Sequence, residues 1–140
     1  MSLLTDEIRS VLTSGKLAHL VTVNEDGSPQ VSIIWIDVDG DEIVSGHMSG
    51  NYLKLRNIRR DPRVVISVET DNEPGTFMAE HIVLRGTARV TEGGAPELLR
   101  KLGKTYVAPD FEFPLPEDAP QGYMLRITVD RVGGLGPWVS

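Results

Sequence analysis

The chain has 140 residues, 14 Lys and Arg against 20 Asp and Glu, a formal charge of −6, 40% hydrophobic and 24% charged residues, and no cysteine. That length suits one domain, spanning residues 1–140, with a real core, and the composition excludes a disordered chain. The lack of cysteine removes disulfides, thiolate metal centres and cysteine nucleophiles together, and the acidic balance argues against a general nucleic-acid binder, which needs a basic surface wider than one helix.

The N-terminal stretch MSLLTDEIRS carries acidic residues where a signal peptide carries basic ones, and no apolar run approaches the roughly 18 residues of a membrane helix. A soluble, cytoplasmic protein without a membrane segment is expected. Leu4, Ile8, Val11 and Leu12 recur at helical spacing behind Thr5, a suitable cap, and Gly15 is the expected end of this helix. KLAHLVTV (16–23), PQVSIIWIDV (29–38) and EIVSGH (42–47) read as three strands joined by the turns NEDG and DGDE. Their continuous apolar stretches suit strands covered on both faces, as in a barrel wall or a subunit interface.

Asn51 is a reasonable N-cap for a short helix over 52–60, which Asp61 and Pro62 end because the residue before proline avoids helical backbone. RVVISVE is a fourth strand, residues 77–92 a long fifth one with a bend expected at Gly86, and 95–106 an amphipathic helix carrying Leu98, Leu99 and Leu102. Four prolines between Val107 and Pro120 mark an irregular loop that is a candidate flap, and residues 123–132 form the last strand ahead of the tail GGLGPWVS. Six strands with few intervening helices predict a mainly β fold, a single antiparallel barrel with peripheral helices.

Lys54, Arg56, Arg59, Arg60 and Arg63 place five of the fourteen cations within ten positions of an acidic chain. An exposed, solubilising helix accounts for such a run, and so does an anionic partner. At about 100° per residue Lys54, Asn57 and Asp61 share one side while Arg56 and Arg60 lie elsewhere, so the cations do not converge on one ligand. His19, His47 and His81 have no neighbours at metal-ligand spacing, no GxSxG or SxxK supports serine chemistry, and no phosphate-binding glycine fingerprint opens a helix. What remains is MSGNYLKLRN. Ser49 and Gly50 stand at a helix N-terminus with Lys54 one turn on, an arrangement suited to phosphate, while Gln30 and Ser32 on a flat apolar strand suit a planar heterocycle unless they are simply outward-facing strand polarity.

The segments LVTVNEDGSPQVS and LKLRNIRRDPRVVISV, with the terminal GGLGPW, resemble the pyridoxamine 5′-phosphate oxidase-like split-barrel flavoproteins, and within them the actinobacterial group that uses the deazaflavin coenzyme F420. The resemblance spans roughly Ile8 to Val90. It implies a six-stranded split barrel that forms a homodimer, with the cofactor in a groove between protomers. It also implies that Lys54 holds the cofactor phosphate and that His47, Met48 and Ser49 line the same seat. Trp35 occupies the position of a second flavin-binding lysine, the C-terminal Arg and Trp pattern of true pyridoxamine phosphate oxidases is missing, and Tyr52 replaces an arginine of some F420-using relatives.

The cofactor-binding residues expected on this basis are Gln30, Ser32, Trp35, His47, Met48, Ser49, Gly50, Lys54, Asn57, Arg60 and Trp138, with Arg56 or Arg60 attracting the oligoglutamate tail of F420. Trp138 is equally suited to a groove wall or to a structural role. The expected function is hydride transfer from the deazaflavin C5 of reduced F420 to a small electrophilic molecule. Because the cofactor does the chemistry, no catalytic side chain and no metal is required. A non-catalytic F420 carrier and an FMN-dependent reductase are the alternatives.

Overall fold

The computed structural model describes residues 2–139. Helix α1 (Asp6–Leu12) begins where Thr5 Oγ1 accepts the Ile8 N–H, carries Asp6 and Glu7 in its positive first turn, and buries Ile8 and Leu12. It ends earlier than Gly15, because the Thr13 N–H already closes the last turn on the Arg9 and Val11 carbonyls.

Strands β1 (Ala18–Val23) and β2 (Pro29–Ile34) form an antiparallel hairpin, followed by the short β3 (Asp37–Asp39) and by β4 (Glu42–His47). Helix α2 (Leu53–Arg60) leads to β5 (Arg63–Glu69) and β6 (His81–Glu92), and helix α3 (Ala95–Tyr106) precedes β7 (Tyr123–Leu135). The hydrogen-bonded strand order is β2-β1-β5-β6-β7-β4-β3, entirely antiparallel.

This order explains why the stretch 29–38, expected as one strand, is two, which makes seven strands instead of six. β2 and β3 lie at opposite edges of the sheet, yet only Trp35 and Ile36 separate them in the chain, a reach of at most about 11 Å between Ile34 and Asp37. The edges therefore meet and the sheet is rolled into a barrel. The strand must break where it passes from one edge to the other. Tyr106 of α3 holds that passage: its hydroxyl accepts the Ile36 N–H at 3.1 Å and donates to the Lys16 carbonyl at 2.9 Å, and its ring stacks on Trp35 at 5.3 Å.

Leu20, Ile43, Ile66, Val68, Ile82, Leu84, Leu125 and Ile127 fill the barrel, and α1 and α2 add Ile8, Leu12, Leu55 and Ile58 to the same cluster. Alternation is clear on β1 and β5, where every second side chain is buried. Two further boundaries differ from expectation. β6 starts at His81 because the segment from 77 is an excursion with Phe77 89% exposed, and β7 continues to Leu135 because 133–135 pair with 81–83. The irregularity expected at Gly86 is a shift of the β6–β7 register between Arg85 and Gly86. None of the helices among the described residues is long and apolar enough to cross a membrane.

Candidate functional site

The end of β4, the first turn of α2, the β2–β3 passage, α3 and the loop after it surround a cleft of about 320 Å³ lined by Ile33, Ile34, Trp35, Gly46, His47, Met48, Tyr52, Lys54, Leu99 and Phe113. Gly46 lets α3 close this wall: a Cβ there would stand 3.3 Å from the Ala95 carbonyl oxygen and 3.3 Å from the Leu99 side chain. Phe113, from the proline-rich loop, meets Trp35 edge-on at 5.9 Å, so that loop does cover one side of the cleft.

Lys54 Nζ lies 4.9 Å from the centre of the Tyr52 ring, and the His47 ring meets the same tyrosine edge-on at 6.3 Å. Among the described residues Lys54 has no carboxylate partner. Partial burial lowers its pKa below the ordinary lysine value. His47 is held neutral, its pKa pushed down to about 4 by burial first and by the Lys54 charge second. Its Nε2 lies 2.7 Å from Oγ of Ser45, two residues earlier on the same face of β4.

Tyr52, not Asn51, stands at the cap position of α2, and no side chain caps the helix. Its carbonyl starts the helix by accepting the N–H groups of Leu55 and Arg56, whereas the Asn51 N–H donates to Ser49 Oγ at 3.2 Å. The first N–H groups of α2 are thereby left without a capping side chain, next to Lys54.

The sequence-predicted residues fall into four places. Trp35, His47, Met48 and Lys54 line the cleft. Met48 also borders a neighbouring cleft of about 690 Å³ that contains Ser49 and Gly50 together with Glu92, Gln121 and Tyr123. Gln30, Ser32 and Asn57 belong instead to a chain of hydrogen bonds: Asn57 Nδ2 donates to Thr22 Oγ1, Thr22 donates to Gln30 Oε1, and Gln30 Nε2 donates to Ser32 Oγ. Arg60 is engaged there too, donating to the Val23 carbonyl and, at 3.2 Å, to Asn57 Oδ1. Trp138 donates from Nε1 to the His81 carbonyl at 2.9 Å and packs on the main core, away from the cleft.

Two arginines left without a role by the sequence acquire one. Arg59 donates to the Gly50 carbonyl at 2.6 Å and lies over the Tyr123 ring, and Arg63 pairs with Asp61, whose carboxyl it holds down at about 2. Arg56 alone among the five cations of this stretch is both exposed and without a hydrogen-bonded or carboxylate partner among the described residues. Sequence reasoning missed Tyr52, Leu99, Phe113 and Ser45 as parts of the site. For Ser45 the available signal was its i, i+2 spacing to His47 on a strand.

A family model described as pyridoxamine 5′-phosphate oxidase matches residues 4–136. Among solved structures, one described as an F420 reductase is 26% identical, covering 89% of this chain and 94% of that one, with a TM-score of 0.73. One described as a putative pyridoxamine 5′-phosphate oxidase from Listeria innocua is 19% identical over 93% of this chain and 96% of that one, with a TM-score of 0.67. An FMN-binding protein from Syntrophomonas wolfei subsp. wolfei is 14% identical over 91% and 83%, with a TM-score of 0.66. The last two are likenesses of fold, and together these matches identify the rolled seven-stranded sheet as a split barrel of the pyridoxamine 5′-phosphate oxidase type.

Proposed function

Because this chain belongs to the pyridoxamine 5′-phosphate oxidase family, we propose that its cleft takes a phosphate-bearing, flavin-type cofactor, that this cofactor is the deazaflavin F420, and that the protein is an oxidoreductase acting on a small electrophilic organic molecule. The observation that carries the proposal is Lys54: a half-buried cation with no carboxylate partner, beside an uncapped helix N-terminus, facing a cleft walled by Trp35, Ile33 and Phe113. A cation without an internal partner at such a helix start fits a phosphate, and a flat apolar wall fits a heterocycle. The structural likeness to an F420 reductase supports the deazaflavin reading, and the likeness to an FMN-binding protein supports a flavin-type ligand in the broader sense.

The chemistry that F420 supplies when bound in its reduced form is hydride donation. The chain's own residues do the rest. Lys54 neutralises phosphate, His47 offers a neutral ring nitrogen, and Trp35, Leu99 and Phe113 exclude water from one side of the cleft. Arg56 is the available attraction for an anionic tail, and as an exposed group it contributes at most about 1 kcal/mol. Ile33, 59% exposed, borders the cleft, and with Val31, 58% exposed, it forms an apolar strip on β2. A second copy of this chain laid on that strip completes the cleft wall, so the working form is proposed to be a homodimer.

Titration of the purified protein with F420, with FMN and FAD in parallel, tests this reading by fluorescence. Micromolar binding of F420 and weaker binding of the other two is expected, and the absence of F420 binding defeats it. A binding-only role is the second reading, favoured by the cleft's lack of any carboxylate among its lining residues. Turnover of quinones or enones by reduced F420 on this protein decides against it.

A further inference from the structure

Ser45 is 1% exposed and His47 6% exposed, and their 2.7 Å contact from Oγ to Nε2 is the sole side-chain hydrogen bond either residue makes among the described residues. The direction of that bond follows from satisfiability. A serine hydroxyl has one proton, and if Nε2 carried its own hydrogen the Ser45 proton would be sealed in the barrel with no acceptor, at the full desolvation cost of a buried donor. The hydroxyl therefore donates to a bare Nε2, and the ring proton sits on Nδ1.

That nitrogen is not enclosed. Nδ1 of His19 is the one sealed side-chain polar atom without a partner among the described residues, so the unpartnered Nδ1 of His47 remains accessible, and His47 lines the cleft.

We propose that Ser45 and His47 form a tautomer-setting dyad that presents a neutral Nδ1–H donor into the cleft beside Lys54, so that the seat receives the phosphate group of an organic phosphate with one cation and one uncharged donor. Ser45 is a positioning residue in this arrangement and His47 a ligand-binding one. Burial and the Lys54 charge keep the ring uncharged at neutral pH, which makes its contribution directional in place of a second positive charge. The assignment of the donor stands on the geometry of β4 alone, whereas its use for a phosphate group rests on the cofactor reading given above.

The test is ring-nitrogen NMR on the full chain labelled at its 3 histidines, with His47 assigned through its loss in His47→Asn. At pH 7 the wild type is expected to show His47 with Nδ1 protonated and Nε2 bare, and Ser45→Ala to show a mixture of both tautomers. Inorganic phosphate, and F420 separately, should shift the Nδ1–H signal. Ser45→Ala should weaken phosphate binding about three- to tenfold, with Ser45→Thr restoring it.

A wild-type ring protonated on Nε2 overturns the dyad even if Ser45→Ala fails to fold. So does F420 binding that leaves the Nδ1–H signal unmoved, an outcome that spares the cofactor reading. A phosphate-induced shift without any F420 binding has the opposite meaning: the dyad stands and the cofactor reading falls.

Discussion

Asn57 Nδ2 donates to Thr22 Oγ1 across 3.1 Å, and both residues are fully buried. The bond joins α2, which carries Lys54, to β1, and it continues through Gln30 to Ser32 on β2. A second Asn57 bond reaches Asn24 Oδ1 at 2.9 Å, so the amide also fastens the β1–β2 turn. The helix that presents the cation is positioned by a polar chain inside the barrel, in which each member has a partner.

Asn57→Ala is therefore expected to act on stability. Removing the amide leaves the Thr22 hydroxyl and the Asn24 carbonyl without their donor, at a cost of about 1–3 kcal/mol. The urea midpoint should fall with an unchanged slope. An unaltered midpoint combined with weakened cofactor binding would return Asn57 to the ligand.

Lys54→Met keeps most of the aliphatic stem and removes the charge. Folding stability should change by less than about 0.5 kcal/mol, because no ion pair among the described residues is broken. Affinity for F420 should drop by about 10- to 100-fold, the magnitude of a charge-assisted hydrogen bond. Equal affinities of the two proteins in a fluorescence titration would remove Lys54 from the site.

The lowered pKa of His47 gives stability a definite pH dependence. The unfolded ring takes up its proton near 6.5 and the folded one only near 4, so the unfolded state binds more protons in between. The contribution is complete above 6.5, declines as the pH falls through that window, and has gone below about 4. Its size is on the order of 3 kcal/mol at most. Urea midpoints measured across the window should fall less steeply for His47→Asn than for the wild type, and parallel curves would count against a neutral buried ring.

Trp138→Phe should cost about 1 kcal/mol through loss of the hydrogen bond to the His81 carbonyl, while leaving cofactor affinity intact. Deleting the chain from residue 133 is a harsher change than a tail truncation, since it strips the end of β7 from 81–83 of β6. A Trp138→Phe protein with native stability and weaker F420 binding would place the indole in the groove after all.

Much of this protein was legible from local sequence. The turns NEDG and DGDE, the β-branched runs and the apolar spacing of α3 specify elements through short-range backbone preferences, and α3 spans the expected 95–106. The lysine that lines the candidate cleft was legible as a pattern as well, since it stands one turn into a helix behind small residues.

Tertiary structure alone decided three matters. The run 29–38 had to divide because it passes between two edges that meet only once the sheet closes. Gln30 and Asn57, polar residues suited to a ligand, bond to Thr22, and Ser32 bonds to Gln30, and a one-dimensional pattern does not reveal which partner lies across the sheet. Arg59, Arg60 and Arg63 belong to the same cationic run as Lys54, yet each finds an oxygen of the protein itself. Charge and periodicity are properties of neighbours along the chain, whereas the availability of a charge depends on what the fold brings within about 3 Å of it.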